Sequence, residues 1–478
     1  MLFNSINFIV FIILFIPLYF VTRGKIRVWL SLISSYFFYG CWDYRYLLLI
    51  LVLTLVNYYC AINISTHRNV KKKQLYLSIS IVVSLLILGF FKYYNFFIYN
   101  LNSILAFIDF DNNLSTLNII LPVGISFYTF QAMSYTIDVY RNKLEPEQSL
   151  LIFSTYIAFF PQLVAGPIIR ATCFIPQLSA KKLIHSDRII NGIYMVVWGF
   201  FLKLVIADSL AMVVDIRFEN PEVHNALSVL IGVVFYAFQI YGDFAGYSLI
   251  AIGIAHILGF NFPDNFDRPY FSKNISEFWQ RWHISFSSWL RDYIYISIGG
   301  NRSGKILMYR NILITMLLCG LWHGAGWNFI IWGGINGIFI ITHRLFNVVM
   351  SKIKFSTPSI GFVNNIFLLT KILITFSFVC LGWIFFRSNN LYESLIIINK
   401  IRQFNDYHFF SVTQKIYILK GTMLIGFLVF VEGMSLMYNT KQFLNEYPNI
   451  KIVWIAFILV LISFFGTFEN NAFIYFQF

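Results

Sequence analysis

The stretch FWQRWHISFSSWLRDYIYISIGGNR, residues 278–302, contains the features that decide the fold of this chain. It holds three Trp, three Arg, one His and one Asp, whereas the segments around it are mostly Phe, Ile and Leu. The 47 residues from Asp264 to Arg310 include 11 charged ones, about twice the 12% charged fraction of the whole chain. This segment is therefore not a simple membrane span, although apolar segments flank it on both sides.

The composition of the whole sequence is that of a polytopic membrane protein. Of its 478 residues, 58% are hydrophobic and 12% are charged, and the mean hydropathy is +0.70, which is outside the range of soluble globular chains. The predicted fold class is all-α, with about 11 to 13 helices that could each cross a ~30 Å hydrocarbon core. The predicted spans lie near 5–22, 28–40, 46–64, 76–98, 117–138, 150–166, 190–212, 227–247, 310–330, 331–349, 366–386, 418–437 and 452–468.

Proline residues interrupt some of these apolar runs. Around Pro122, Pro161 and Pro167 we expect half-spans or re-entrant segments. We find no linker, low-complexity tract or internal repeat, so the sequence predicts one membrane domain over 1–478. Within it, 278–302 is predicted to be an amphipathic or re-entrant polar helix, and 469–478 an extracytoplasmic C-terminal tail.

The charge distribution predicts the orientation in the membrane. The net charge of +14 arises from 35 basic and 21 acidic residues, which in a soluble protein would suggest a nucleic-acid partner. Here the positive-inside rule explains it, because the basic clusters at 23–27, 68–73 and 141–143 lie between apolar segments. These loops are predicted to be cytoplasmic and both termini extracytoplasmic, with membrane lipid and no nucleic acid as a partner. Residues 1–22 are uncharged and precede the first basic cluster, so they are predicted to be a retained span.

The cysteines and glycines do not indicate a metal or phosphate site. The five Cys are scattered singly at 41, 60, 173, 319 and 380, with no CxxC pair, so neither a disulfide framework nor a zinc site is predicted. The sequence GGNRSGK (299–305) lacks the spacing of a phosphate-binding loop and is predicted to be a flexible turn.

The aromatic residues of 278–302 have helical spacing. On a continuous helix, Phe278, Trp282, Phe286 and Trp289 fall on one stripe, which predicts a basic, aromatic amphipathic helix. Such a helix lies against the bilayer or dips into the protein. The simpler alternative is an interfacial helix anchored by Trp and Arg, in which His283 has no special role.

A second unusual stretch is GLWHGAGWNFIIWGGINGI, residues 320–338. It places His323 in a Gly-rich apolar segment beside Trp322 and Asn328. An ionisable residue in a membrane segment normally faces a polar cavity, so His323 is a candidate for a functional site. A neutral imidazole can accept a proton from a hydroxyl group, as a general base must. A hydrogen-bonded packing role remains the alternative for a single His on an apolar helix.

These two stretches also carry a family resemblance. The sequence from 243 to 302, which begins DFAGYS, and LWHGAGWNFIIWGGINGI (321–338) resemble the membrane-bound O-acyltransferase family, in its bacterial cell-envelope branch. Three further segments fit this branch: PVGISFYTFQAMSYTIDVYR (122–141), FFPQLVAGPIIR (159–170) and GWIFFR (382–387). The resemblance covers nearly the whole chain and implies an acyltransferase of the bacterial cytoplasmic (inner) membrane. It also implies a ring of tilted helices around a thinned central layer, with a tunnel joining the two faces.

The resemblance implies three catalytic residues. The family's invariant membrane His corresponds to His323, and its second His corresponds to His283 in WQRWH. The chain closes with FENNAFIYFQF, which resembles an F-x-Y-x-F motif of the acetyl-transferring members, and the motif's acyl-relay Tyr matches Tyr475. From composition alone, the alternative for this tail is an aromatic anchor at the membrane interface.

The resemblance also implies residues that contact the acyl donor. Arg281 or Arg291 could bind a phosphate-bearing donor, while the aromatic residues shape a dry funnel on the cytoplasmic side. The alternative for the two arginines is an ion pair with Glu277 or with Asp292. The predicted substrate-binding residues are Arg281, Trp282, Arg291, Trp322 and Asn328.

The function implied by the resemblance is acetyl transfer across the membrane. The donor would be cytoplasmic acetyl-CoA, with no tightly bound cofactor, and the partner a periplasmic O-acetyltransferase of the SGNH, serine-hydrolase-like type. Frequent Ile, Asn, Lys and Phe suggest an AT-rich genome, which favours peptidoglycan as the envelope glycan acetylated. Alginate or another exopolysaccharide, and D-alanyl transfer to teichoic acid, are the alternatives. A transporter or flippase would show inverted repeats and charged pairs across several spans, and the sequence predicts neither.

Overall fold

The structure of this 478-residue protein is a computed structural model. It describes residues 1, 3–110, 114–164, 166–302, 304–352, 361–404, 410–438, 440–468 and 473–474, apart from the side chains of 361–363 and 441. Throughout these ranges the regular elements are helices, so the predicted all-α membrane class is confirmed. The chain divides into two compact units, Met1–Val196 with Tyr247–Pro263 and Val197–Gly246 with Asp264–Phe478. The single domain predicted over 1–478 stays a prediction.

The first unit contains the N-terminal helices and is held together by buried polar groups as well as by apolar contacts. Asn57 is the centre of one such group, since its Oδ1 accepts hydrogen bonds from Ser80 Oγ (2.6 Å) and Thr136 Oγ1 (2.9 Å). Hydrogen bonds of this kind help to join helices where lipid supplies no hydrophobic driving force. Its helices are α1 (Ile6–Val21), α2 (Gly24–Asp43), α3 (Leu47–Thr66), α4 (Val70–Leu88), α5 (Tyr94–Phe107), α6 (Ile125–Tyr140), α7 (Leu150–Ala158), α8 (Phe160–Leu163), α9 (Ala171–Ser179) and most of α10 (Ser186–Phe200).

The second unit contains both histidines selected from the sequence. A π-helical segment, Phe201–Ala207, follows α10, and a second one, Arg291–Tyr295, follows α14. The helices are α11 (Asp208–Glu219), α12 (Ala226–Ile257, of which 226–246 belong here), α13 (Ile275–Arg281), α14 (Ile284–Leu290), α15 (Lys305–His323), α16 (Trp327–Met350), α17 (Gly361–Arg387), α18 (Leu391–Gln403), α19 (Val412–Met437), α20 (Thr440–Glu446) and α21 (Pro448–Phe465).

The membrane-spanning character follows from helix length and composition. Nine helical stretches within the described ranges are long and apolar enough to cross a membrane, and α1 is a shorter apolar helix. The predicted spans 117–138 and 150–166 contain shorter helices than expected. Helix α6 begins only at Ile125, and the non-helical residue Phe159 separates α7 from α8. These interruptions lie beside Pro122 and Pro161, as the sequence predicted.

The continuous helix predicted through 278–289 is wrong. Helix α13 ends at Arg281, and Trp282 is extended (φ −99°, ψ 126°). His283 adopts a left-handed conformation (φ 44°, ψ 54°) before α14 begins. The loop after α12 supplies the reason, because Asp267 N donates to Arg281 O (3.0 Å) and Ile284 N donates to Asn265 O (2.9 Å). These two bonds satisfy backbone groups that the break would otherwise leave open.

Helices α15 and α16 form a tight hairpin around a three-residue turn, 324–326. A Cβ atom at Gly320 would lie 2.1 Å from Phe329 O, and one at Gly333 would lie 2.1 Å from Met316 O. Only glycine permits the two backbones to approach this closely. The Gly-rich composition of 320–338 therefore positions the C-terminal end of α15, which carries His323.

Candidate active site

His323 is the last residue of α15 and is buried among aromatic rings, with 3% of its surface exposed. The centroids of these rings lie 4.8–5.6 Å from that of its imidazole: Phe286, Trp322, Trp332 and Phe386. The four side chains come from α14, α15, α16 and α17, so the setting depends on the packing of the whole unit. Rings of this kind exclude water and leave the imidazole in an apolar environment.

His283 lies at the break between α13 and α14 and is completely buried. Its Nδ1 lies 3.2 Å from Asn265 Oδ1, which also accepts hydrogen bonds from Ser285 N (3.3 Å) and Ser285 Oγ (2.9 Å). A backbone N–H can only donate, so the Asn265 atom at this position is the oxygen. His283 Nδ1 is therefore the protonated nitrogen, and its Nε2 carries the lone pair.

Burial keeps His283 neutral. Desolvation lowers the pKa of His283 to about 3. The imidazole is thus uncharged at neutral pH, with Nε2 able to accept a proton or a hydrogen bond. Its left-handed backbone conformation is unfavourable for a residue with a Cβ atom and persists because the surrounding hydrogen bonds hold it.

Two aromatic rings connect the histidines. Phe286 lies 5.0 Å from the His283 ring and 5.6 Å from the His323 ring, and it stacks on Trp322 at 4.0 Å. Trp322 lies 6.1 Å from His283 and 4.8 Å from His323. The structure therefore brings the two predicted catalytic histidines into one cluster. The 278–302 segment belongs to the second unit, where the four aromatic residues of the predicted stripe are buried. A re-entrant course through the membrane stays a prediction.

The two arginines predicted to bind the donor each form an ion pair with a carboxylate. Arg281 lies 2.8 Å from Glu277 and Arg291 lies 2.8 Å from Asp292. Arg281 also lines an open polar cavity of about 500 Å³, together with Asp267 and Glu277. Two carboxylates against one guanidinium suit a phosphate-bearing ligand poorly. Both arginines thus form the ion pairs that were the alternative to donor binding. Binding of the donor by these arginines stays a prediction.

The remaining predicted substrate-binding residues are buried. Trp282 is 1% exposed and packs 5.0 Å from the ring of Trp383, and Trp322 belongs to the histidine cluster. Asn328 Nδ2 donates to Phe385 O (3.3 Å) and Ser388 O (2.8 Å) at the end of α17. Because the last carbonyls of a helix lack partners within it, Asn328 has a structural role as a cap.

The third predicted catalytic residue, Tyr475, lies outside the described residues. Of the predicted tail 469–478 the structure describes Phe473 and Ile474, and both are buried in the second unit. The Phe473 ring lies 5.6 Å from Phe244, whose ring lies 4.6 Å from that of His283. An interfacial anchor would expose its aromatic residues, and Phe473 does not.

The family assignment follows from comparison with known proteins. The model of the membrane-bound O-acyltransferase (MBOAT) family matches residues 146–384, which include both histidines and most of the rings around them. The chain belongs to the MBOAT family. It is therefore a multi-pass membrane O-acyltransferase, as the resemblance implied.

The relatives of this O-acyltransferase modify different envelope polymers. A probable alginate O-acetylase of Pseudomonas aeruginosa is 37% identical over 91% of this chain and 82% of its own length. A peptidoglycan O-acetyltransferase of Helicobacter pylori is 35% identical over 78% of this chain and 74% of its own length. A teichoic acid D-alanyltransferase of Bacillus subtilis is 30% identical over 56% of this chain and 69% of its own length.

Several residues in and around the histidine cluster were missed from the sequence. Asn265 lies in the loop PDNFD, where nothing in the local pattern distinguishes it from a turn residue. Phe286 belongs to the aromatic stripe, but its position between the histidines depends on the helix break. Trp383 and Phe386 lie in GWIFFR, a segment that carried the resemblance without an assigned role.

The statement that no charged pair joins the spans is wrong. Lys203, between α10 and α11, lies 2.7 Å from Asp243 on α12, and both are buried. The signal was present, since each is an ionisable residue within an apolar segment. The pairing was not visible, because 40 residues separate them.

We predict that His283 contributes to acyl transfer through its imidazole. His283→Asn keeps a residue type that tolerates a left-handed backbone and can still donate to Asn265, but it removes the Nε2 lone pair. Acyl transfer should fall about a hundredfold. The measurement is the rate of ester formation by the purified protein, with thermal unfolding recorded in parallel.

The matched control for His283→Asn is Ser285→Ala. This change removes the other side-chain donor to Asn265 Oδ1 and leaves the imidazole in place. Ser285→Ala should retain transfer within about threefold, the effect of one lost neutral hydrogen bond. Equal losses in the two variants would mean that the Asn265 network, and not the imidazole, is what transfer requires.

Proposed function

We propose that this protein transfers acetyl groups from cytoplasmic acetyl-CoA across the membrane for O-acetylation of a cell-envelope polysaccharide, with peptidoglycan as the acceptor. A periplasmic SGNH-type, serine-hydrolase-like O-acetyltransferase would receive the acetyl group and place it on the glycan. The observation that carries the proposal is the buried cluster of His283 and His323, two imidazoles connected by aromatic rings.

The site chemistry favours transfer of an uncharged acyl group. The rings around His323 belong to Phe and Trp and carry no charge. An acetyl thioester is also uncharged, whereas a D-alanyl ester brings an ammonium group whose burial is unfavourable without a partner. The acetylating relatives also match more of this chain than the D-alanyltransferase does, 91% and 78% against 56%. Both observations support acetyl over D-alanyl transfer.

The histidines would activate the accepting hydroxyl. His323 would take the proton of this hydroxyl as it attacks the thioester carbonyl, and the proton would pass to the departing CoA thiolate. His283, with Nδ1–H directed at Asn265, would present Nε2 as a second acceptor or orient the hydroxyl. Tyr475 would carry the acetyl group as a phenyl ester, which stays activated for a second transfer.

In the proposed orientation, both termini of the chain lie on the extracytoplasmic side of the membrane. The basic loops at 23–27 and 68–73 would face the cytoplasm. Donor and acceptor would then use opposite faces of the bacterial cytoplasmic membrane. Alginate or another exopolysaccharide is the alternative acceptor, because the alginate O-acetylase relatives are about as similar as the peptidoglycan O-acetyltransferase.

The proposal predicts where labelled acetyl should be found. Cells that lack this gene should lose alkali-labile acetate from isolated sacculi and regain it when the gene is restored. In inside-out vesicles from the restored strain, acetyl-CoA labelled in the acetyl group should transfer label to muropeptides inside the vesicle. Right-side-out vesicles are the control and should not use the added donor.

Two results would contradict parts of this proposal. Loss of acetate from secreted polysaccharide, with normal acetate on the sacculi, would exclude peptidoglycan as the acceptor. Use of the donor by right-side-out vesicles alone would exclude a cytoplasmic donor side. Each outcome leaves the O-acyltransferase class intact, since the family assignment does not depend on the polymer.

A further inference from the structure

Lys203, Asp208 and Asp243 form a buried ionic cluster in the second unit. Lys203 Nζ lies 2.8 Å from Asp208 Oδ1 and 2.7 Å from Asp243 Oδ1, and each side chain is at most 4% exposed. Burying charges is unfavourable even when they are paired, so ionisable residues within apolar spans usually serve a function. None of the three contacts the histidine cluster through its own side chain in the interactions described above.

The local backbone brings this cluster together. Lys203 lies in the π-helical segment Phe201–Ala207, and such segments are common at functional sites. Asp243 lies on α12, three residues before Gly246. A Cβ atom at Gly246 would lie 2.7 Å from Gly199 O and 3.1 Å from Lys203 N. Glycine at 246 therefore allows α12 to pack closely enough for the ion pair to form.

The C-terminal segment makes backbone hydrogen bonds to the same region. Thr467 N donates to Leu204 O (2.9 Å), within the π-helical segment. Ile474 N donates to Asp243 Oδ2 (2.7 Å), and this bond is buried. The two oxygens of the Asp243 carboxylate thus have different partners, because Oδ1 faces Lys203 and Oδ2 accepts from Ile474 N.

This arrangement places Phe473 and Ile474 near the histidine cluster. Phe473 contacts Phe244, the residue after Asp243, with ring centroids 5.6 Å apart. Phe244 in turn contacts His283 edge-on at 4.6 Å. One aromatic ring therefore separates the described part of the tail from a catalytic histidine.

We infer that Asp243, held by Lys203, is a positioning residue that docks the C-terminal segment beside His283. A hydrogen bond from a backbone N–H to a carboxylate is stronger than one to a neutral oxygen, and Lys203 fixes the orientation of the carboxylate. Tyr475 is the next residue after Ile474, and consecutive Cα atoms are about 3.8 Å apart. Docking of Ile474 therefore holds the residue to which Tyr475 is bonded, while Tyr475 itself lies outside the described residues. The docking stands by itself, whereas the use of Tyr475 in transfer rests on the proposed function.

Two substitutions separate docking from charge. Asp243→Leu removes the acceptor oxygen, and Asp243→Asn keeps one; both leave Lys203 paired with Asp208. Docking is measured as the rate at which maleimide labels Ile474→Cys in the full-length purified protein. In this protein the exposed Cys41 and Cys173 are replaced by Ser. Labelling should be about tenfold faster in Asp243→Leu and within about threefold of the parent in Asp243→Asn. The buried Cys60, Cys319 and Cys380 report unfolding, since they should stay unlabelled in a folded protein.

A second variant removes the same hydrogen bond from its donor side. Ile474→Pro has no backbone N–H and leaves the ion pair of Lys203 and Asp243 unchanged. Labelling of Phe473→Cys should then be about tenfold faster than in the chain with Ile474. If Asp243→Leu is unfolded, this variant alone tests the docking.

The results distinguish failure of the docking from failure of the proposed function. If labelling rates are unchanged in Asp243→Leu and Ile474→Pro, the docking is wrong, whatever happens to acetyl transfer. If labelling is faster and acetyl turnover falls about tenfold while the KM for acetyl-CoA stays within about twofold, the positioning role is supported. If labelling is faster and turnover is normal, the docking exists, but it does not position Tyr475 for transfer. A general structural defect would change KM and turnover together.

Discussion

His323→Ala is expected to lower acyl transfer about a thousandfold, the middle of the range for loss of a general base. His323 is buried among four aromatic rings, so water cannot easily replace its imidazole as a proton acceptor. The measurement is the alkali-labile acetate of isolated envelopes in cells that contain the variant at the parental protein level. His323→Gln, which preserves more of the side-chain volume, should show the same loss.

The matched control is His343→Ala. His343 lies on α16, the partner helix of α15, and its Nε2 is 3.0 Å from Asn347 Nδ2, outside the histidine cluster. This variant should acetylate normally, because no ring of the cluster contacts His343 in the interactions described. Wild-type acetylation by His323→Ala would show that His323 is a packing residue, which was the alternative for a single His on an apolar helix.

Tyr475→Phe is also expected to cause a large loss of acyl transfer. The substitution keeps the ring and removes only the oxygen that would carry the acetyl group, so it distinguishes a relay from an anchor. If transfer requires a phenyl ester, the level of envelope acetylation in the variant should fall about a hundredfold or more. In the parent protein, a base-labile acetyl group on the C-terminal peptide should be detectable by mass spectrometry after incubation with acetyl-CoA.

Tyr447→Phe is the matched control for this substitution. Tyr447 is exposed in the segment before α21, and its hydroxyl has no place in the proposed reaction. Normal envelope acetylation in Tyr475→Phe would mean that the acetyl group reaches its acceptor without this residue. The docking inferred for Ile474 would be unaffected by that result, because it depends on a backbone N–H.

The two predictions together divide the reaction into steps. Loss of His323 should prevent acetyl from leaving the thioester, so neither acetylated tail nor acetylated glycan should form. His283→Asn should slow the same step to a smaller extent. If His323→Ala still forms an acetylated tail, then His323 acts in the second transfer and not in the first.

The predictions from sequence succeeded where the signal is local or compositional. Apolar runs of sufficient length identify membrane spans without knowledge of the tertiary structure, because the bilayer imposes the same length on every span. His323 was selected because an ionisable group in a Gly-rich apolar segment is unfavourable without a function, and its role in transfer stays a prediction. His283 was selected through its motif, while the spacing alone predicted only a stripe on an amphipathic helix, and its role in transfer also stays a prediction.

The predictions failed where contacts between distant segments decide the conformation. The spacing of Phe278 and Trp289 fits one helix, and the break at 282–283 depends on hydrogen bonds from the loop at Asn265 and Asp267. The ion pair of Lys203 and Asp243 was overlooked for the same reason. Each of these interactions satisfies a polar group that the local sequence leaves open.

The sequence by itself determined that this protein is an all-α membrane O-acyltransferase with His323 and His283 as its candidate catalytic residues. Only the tertiary structure decided that Phe286 and Trp322 join the two imidazoles and that Asn265 selects the tautomer of His283. The physical reason is that hydropathy and residue spacing are properties of neighbours along the chain. A hydrogen bond such as that from Ile474 to Asp243 joins residues 231 positions apart, and nothing at either position specifies the other until the chain is folded.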